Sequence, residues 1–328
     1  MYKAFFKLAR NPFDLTPDPT YFVSTRRHNE ALAALHYGIR RHKGFVVVTG
    51  EVGTGKTLLL RCLLRLLKES KDIAYAYIFN SRLSPTEFLQ YILADFGLPA
   101  SGKNKSELLL DLAQFLVSRG ARGLTTVLVV DEAHHLSEDL LEEVRLLSNL
   151  ETTDDKLLQI VLVGQSELDH KLDSIGLRQL KQRVALRAQL GPLNADEARE
   201  YVEHRLKIAG VEGNPSELFP PDAVQAVFRH SRGVPRLINT ICENALILAY
   251  ARQTPRISVE IIDEVAREFR LDKTFFEADA SGTSDEMDVQ QAARVLRDLY
   301  SAMRKPVARS GDLNVPVSLE TSEYEPNI

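Results

Sequence analysis

Residues 44–60 read GFVVVTGEVGTGKTLLL. An apolar β-branched run predicts a strand, and the leucines after Lys56 predict a helix. Between them stand Gly50, Gly53 and Gly55, followed by Lys56 and Thr57. Glycines let successive backbone N–H groups curl inward around an anion, and the next helix adds the positive end of its dipole. The spacing G-x-x-x-x-G-K-[ST] is therefore read as a phosphate-binding loop running from Gly50 through Glu51, Val52, Gly53, Thr54, Gly55, Lys56 and Thr57 to Leu58. Lys56 is predicted to reach the β- and γ-phosphates of a nucleoside triphosphate, and the Thr57 hydroxyl to ligate Mg²⁺. A plain glycine turn requires neither the lysine nor the helix.

A second signature, VLVVDEAHHL, ends an apolar strand with Asp131 and Glu132. A phosphate loop of this kind needs an acidic residue at a neighbouring strand end to hold the Mg²⁺ shell, and Asp131 fits. Glu132 is placed to orient and deprotonate an attacking water. The adjacent His134 and His135 are expected to point in different directions, so a metal site there needs ligands from elsewhere and no Cys/His cluster lies nearby in sequence. They read as packing or helix-start residues, or as a relay between nucleotide state and a partner.

Short apolar runs recur at 45–50, 73–79, 125–132, 158–165 and 184–190, separated by helical patterns. Most show little polar alternation, as expected of strands in a parallel sheet covered on both faces. One helix is predicted to start at Ser84, with Pro85 in its first turn and Glu87 closing a capping box. Asn194 and Glu197 repeat that signature where strands give way to helices, with two or three more helices in 221–270. EADASGTSDEMD (277–288) is an acidic, solvated stretch. Residues 289–304 carry Val289, Ala293, Leu296, Leu299, Tyr300 and Met303 on one helical face, and 306–328 read as disordered.

At 328 residues the chain has room for about two domains. A net charge of −4 gives no global case for nucleic acid or a membrane surface, although RRHK (40–43) and Arg178, Lys181, Arg183 and Arg187 make local basic faces. Cys62 and Cys242 cannot build a disulfide framework and read as free thiols in a reducing compartment. No apolar run approaches the ~20 residues that span a bilayer, and the N-terminus has no secretory pattern, so a cytoplasmic location is expected.

Together, MYKAFFKLARNPFDLTPDPTYF, GFVVVTGEVGTGKT, VLVVDEAHHLS, IVLVGQSEL, LRQLKQRV and SRGVPRLIN resemble the AAA+ superfamily. Within it they resemble the general secretion pathway protein A (ExeA-like) ATPases and their relatives beside transposition and exopolysaccharide genes. The resemblance spans about residues 1–270. It implies an α/β P-loop three-layer sandwich with a parallel five-stranded sheet, followed by a small all-helical lid. The implied boundaries are 1–43 for an N-terminal arm and first helix, 44–192 for the ATPase domain and 193–270 for the lid. A linker (271–288), an amphipathic helix (289–305) and a tail (306–328) follow.

By the same resemblance Gln165 stands at the sensor 1 position and Arg236 at sensor 2, reaching from the lid to the nucleotide in cis. Arg183, or else Arg178, lies where an arginine finger completes a neighbour's site, which implies a homo-oligomer. Pro12 and Phe13 match the stretch that runs over the adenine, or else anchor the arm. ATP and Mg²⁺ are the implied ligands; no guanine-reading N-K-x-D occurs. The secretion ATPases continue into a transmembrane helix and a peptidoglycan-binding domain, neither of which is present in these 328 residues. The expected function is Mg²⁺-dependent ATP hydrolysis that drives or regulates assembly of a protein complex, secretion- or polysaccharide-export-related, with a protein partner met through the lid or C-terminal helix. The alternative is a switch on double-stranded DNA of the transposase-helper type.

Overall fold

The computed structural model describes residues 2–79, 83–153, 155–211 and 213–271. The amphipathic helix, the tail and all but the first residue of the acidic linker expected from the sequence lie outside the described residues. Five strands form one parallel sheet: β1 Phe45–Gly50, β2 Ile73–Ile78, β3 Thr125–Val130, β4 Gln159–Gly164 and β5 Leu186–Leu190. Their spatial order is β2-β3-β4-β1-β5. Each expected strand is present and most are a little shorter than read, because Asp131, Glu132 and Gln165 belong to the turns that leave the sheet.

β1, β3 and β4 are buried at every position, whereas the edge strands β2 and β5 are mostly half-exposed. Helices on both faces explain the difference. Phe45, Val47, Leu128, Val130, Ile160 and Leu162 pack against helices Pro85–Asp95, Lys105–Gly120 and Glu138–Leu147. The alternate residues Val46, Val48, Val127, Val129, Val161 and Val163 meet helices Arg26–Arg40 and Lys56–Glu69. Leu63, fully buried in that second layer, has a truncation cost of about 2–5 kcal/mol.

Both predicted capping boxes are formed. The Ser84 N–H donates to Glu87 at 2.8 Å, and the Glu197 N–H donates to Asn194 at 2.9 Å. A third box, Asn104 with Glu107, opens Lys105–Gly120.

Helices Ala195–Ile208, Pro221–Ser231, Pro235–Ala251 and Val259–Glu268 build a second core around Leu206, Ile241, Cys242 and Ile262. The start of the chain is divided differently from the expected 1–43 segment: Tyr2, Leu8 and Phe13 join this helical core, while Arg26–Arg40 joins the sheet. Arg205 is the physical reason. Its buried guanidinium donates to the carbonyls of Pro12 (2.5 Å) and Asp14 (3.0 Å) and lies 4.6 Å from the Tyr21 ring centre. A buried cation needs such partners.

Candidate nucleotide-binding and hydrolytic site

β1 ends at Gly50, and the loop that follows turns into helix Lys56–Glu69, so the helix N-terminus faces the loop it closes. Two glycines are demanded by conformation. Gly53 has φ +80° and Gly55 has φ +100°, both in the left-handed region. A Cβ on Gly53 would stand 2.8 Å from Arg236 Cβ, and one on Gly55 would stand 2.9 Å from His28 Nε2. Thr54 is fully buried and its hydroxyl donates to the Glu51 carbonyl at 2.8 Å, tightening the turn. Lys56 Nζ donates to the carbonyls of Gly50 (2.7 Å) and Glu51 (2.9 Å). Burial lowers the Lys56 pKa, while Glu132, Asp131, Glu51 and Glu167 pull it the other way. Thr57 and Leu58 are half-buried at the helix start, and Val52 is exposed at the loop tip.

Asp131 is buried where β3 ends. Its Oδ1 accepts the Glu132 N–H at 2.9 Å, and its Oδ2 accepts the Tyr77 hydroxyl at 3.0 Å. Burial, and then Glu132, push its pKa up to about 6, against Tyr77 and Lys56. A buried carboxylate charged at this cost, close enough to Lys56 to shift it, has the chemistry of an oxygen ligand for Mg²⁺. Glu132 has φ +50°, which turns the chain sharply out of the strand. Its Oε2 is buried and has no hydrogen-bond partner.

The histidine pair departs from expectation. A 3₁₀ turn at Ala133–His135 brings the two rings together, with centres 3.9 Å apart. His134 Nδ1 is 3.4 Å from Glu132 Oε2 and accepts the Gln165 N–H at 3.3 Å. The residue after Gln165 reaches the loop: Ser166 Oγ donates to Glu51 Oε1 at 2.5 Å. Gln165 and Ser166 together thus link His134 to Glu51.

Arg236 comes from the helical region, and its N–H donates to the Gly53 carbonyl at 3.2 Å. Arg183 is elsewhere. It is half-buried, with Nη1 3.3 Å from Ser148 Oγ. The Ala185 N–H bonds the Phe45 carbonyl, so Arg183 lies near the start of β1, the end of the sheet away from Gly50. Arg178, at the start of helix Arg178–Lys181, is exposed. Phe13 is fully buried and packs edge-on against Phe219 at 5.6 Å, so the Pro12–Phe13 stretch anchors the arm and offers no open ring to a base.

Two contributors carry no local sequence signal. His28 is buried at the start of helix Arg26–Arg40, with Nδ1 2.7 Å from Thr25 Oγ1 and Nε2 3.0 Å from the Thr54 carbonyl. Burial lowers its pKa, so the neutral ring braces the loop. Tyr77 reaches Asp131 from β2, and burial holds its phenol protonated as a donor. A strand tyrosine reads as core until the sheet order is known.

Residues 39–172 match the AAA domain family. The chain is 46% identical over 258 residues to general secretion pathway protein A of Aeromonas hydrophila, covering 78% of this chain and 46% of that protein. It therefore spans about half the length of that relative. Among solved structures, Drosophila ORC bound to DNA superposes with a TM-score of 0.60 at 22% identity, over 90% of this chain and 73% of that one. The Aeropyrum pernix ORC2 protein in its ADPNP–ADP complexes gives 0.57 at 18% identity, over 79% and 71%. Sheet order and phosphate loop agree with these likenesses: the chain has the P-loop fold of these structures, its residues 39–172 match the AAA domain, and most of it is similar to general secretion pathway protein A.

Proposed function

We propose that this chain hydrolyses ATP and uses the cycle to drive or regulate assembly of a protein complex, of the secretion or polysaccharide-export kind. The observation that carries the proposal is the convergence of Lys56, Asp131 and Glu132 beside a loop that Arg236 contacts from the helical region. The loop N–H groups and Lys56 bind the phosphates. Thr57 and Asp131 hold Mg²⁺, which when bound neutralises phosphate charge. Glu132 Oε2, buried and without a protein donor, accepts the proton of the attacking water. Gln165 orients that water, its backbone tied to His134.

Arg236 reads the nucleotide from the helical side, so hydrolysis moves that region against the sheet. Arg183, or else Arg178, serves a neighbouring subunit, which makes the active form a homo-oligomer. The relative's name supports the secretion context. The protein partner docks on the helical region or on residues 289–304.

The test is ATPase rate against protein concentration, with and without double-stranded DNA, for wild type and Glu132→Gln. The proposal expects a rate per subunit that rises with concentration, ignores DNA and is lost in Glu132→Gln. A rate that stays low until DNA is added would replace it with the DNA-bound switch. Loss of turnover in Arg183→Ala or Arg178→Ala, rescued by mixing with Lys56→Ala subunits, identifies the finger; no rescue in either removes the trans role.

A further inference from the structure

The sequence gives His134 and His135 no metal-binding partner, but the fold supplies one. Ligand atoms of Glu132, His134 and His135 all lie within 4.8 Å of one another. In a tetrahedral zinc site with bonds of about 2.0–2.1 Å, neighbouring ligand atoms stand about 3.3 Å apart. His134 Nδ1 and Glu132 Oε2 are 3.4 Å apart, which is one edge of that tetrahedron. Glu132 Oε2 is buried without a hydrogen-bond partner and is aimed at the imidazole.

Three further features fit. His134 Nδ1 accepts the Gln165 N–H at 3.3 Å, so this nitrogen carries the lone pair that a metal takes. The backbone of the pair is preset, because Lys171 Nζ donates to the carbonyls of His134 (2.6 Å) and Leu136 (2.8 Å). Exposure is graded from buried His134 through half-buried Glu132 to exposed His135, giving an ion a path in from solvent. The positive charge of Lys56 is opposed by Glu132 and Asp131.

We propose that Glu132, His134 and His135 bind a divalent transition-metal ion of the zinc class, with water completing the shell, and that this ion switches hydrolysis off. Imidazole and carboxylate ligands prefer such ions to Mg²⁺, so the site is distinct from the Thr57–Asp131 magnesium position. The bound ion takes the Glu132 oxygen that otherwise accepts the water proton. It also replaces the 3.3 Å bond from the Gln165 N–H to His134 Nδ1, loosening the residue that orients the water. Nucleotide binding through Lys56 and the loop is untouched. The inhibitory effect rests on Glu132 serving as the base; the binding does not.

The test uses untagged, nucleotide-free full chain and Co²⁺ as the probe. The expected result is one ion per chain with the visible absorption of tetrahedral Co²⁺, removed by Zn²⁺. Glu132→Gln and His134→Gln each weaken Co²⁺ binding by more than about tenfold, as loss of a direct ligand should. His135→Gln does the same, keeps Mg²⁺-dependent turnover and escapes inhibition by Zn²⁺. His170→Gln, a histidine outside the cluster, changes nothing, and far-UV circular dichroism checks that each variant is folded. Absence of the Co²⁺ band, or a band unchanged in the His134→Gln/His135→Gln double variant, overturns the site. Binding with undiminished wild-type turnover in Zn²⁺ overturns the switch. Wild type without any turnover counts against the proposed ATPase instead, while the Co²⁺ spectrum still decides the metal site.

Discussion

One wall of the candidate site is made from short contiguous stretches, Gly50–Thr57 and Asp131–Glu132, each at the end of a fully buried strand. The facing wall is assembled from His28, Arg236 and the residues that hold them, drawn from a helix start and from the helical region. The first wall works through backbone geometry and charges fixed by the sheet. The second works through single contacts to the loop, 3.0 Å for His28 and 3.2 Å for Arg236. Chemistry is thus concentrated where the chain is locally constrained, and coupling where it is not. A change in the first wall should abolish a step, and a change in the second should loosen or uncouple it.

The largest expected effects test the first wall. Glu132→Gln should lower turnover by about 10²–10⁴-fold while nucleotide affinity is kept. Lys56→Ala should lose the affinity itself, read by fluorescent-nucleotide titration. If Glu132→Gln turns over normally, the glutamate is not the base. Next comes Arg236→Ala, which should cost about 10²-fold in kcat, as loss of one preorganised charge does. Nucleotide-induced thermal stabilisation should persist, because the Arg236 N–H bond to Gly53 survives truncation of the side chain. An effect confined to KM would make Arg236 part of uniform binding and erase the contrast between the walls.

His28 and Gly55 allow a finer test, since they meet where the walls touch. His28→Ala leaves the buried Thr54 carbonyl without its imidazole partner and should cost about 1–3 kcal/mol in urea unfolding. Gly55→Ala should cost about 1–3 kcal/mol from its φ of +100°, plus the 2.9 Å approach to His28. In the double variant the steric part disappears and the backbone part remains, so the two costs should sum to less than additive. Strict additivity would show that His28 does not press on the loop.

The same division explains what could be read from sequence. The strand–loop–helix at 44–60 and the Asp131–Glu132 strand end were legible because each needs only local rules: β-branched runs, glycine punctuation and a lysine at fixed spacing. Ser84–Glu87 and Asn194–Glu197 were legible for the same reason. His28, Tyr77 and the convergence of Glu132 with His134 and His135 were not. His28 meets Thr54 only after helix Arg26–Arg40 packs on the sheet, and Tyr77 meets Asp131 only because β2 lies beside β3. Adjacent histidines diverge on a strand or α-helix but converge on the 3₁₀ turn that Glu132, at φ +50°, initiates. Phe13 was ambiguous between base and anchor until Phe219 and Arg205 closed over it.

The smallest expected effect is in pH dependence, where the buried imidazoles and the buried Asp131 carboxyl act in opposite senses. His134 and His28 are both held neutral by burial, His134 with its pKa down to about 4. As pH falls from about 6.5 toward 4 the unfolded chain binds protons that these folded imidazoles refuse, so both reduce stability. Asp131, with its pKa raised from 3.8 to about 6, does the reverse: over that window the folded carboxyl holds a proton that the unfolded one has lost. Acidification therefore strengthens the Asp131 contribution while it weakens the histidine contributions, and the wild-type acid limb is shallow there. Asp131→Asn removes the compensating group and should steepen the loss of urea midpoint between about pH 6.5 and 4. His134→Gln should flatten or reverse it, because the gain from Asp131 is then opposed by His28 alone. Equal slopes in the two variants would mean that neither group keeps its shifted pKa, and that the charge balance around Glu132 is set by solvent instead of by burial.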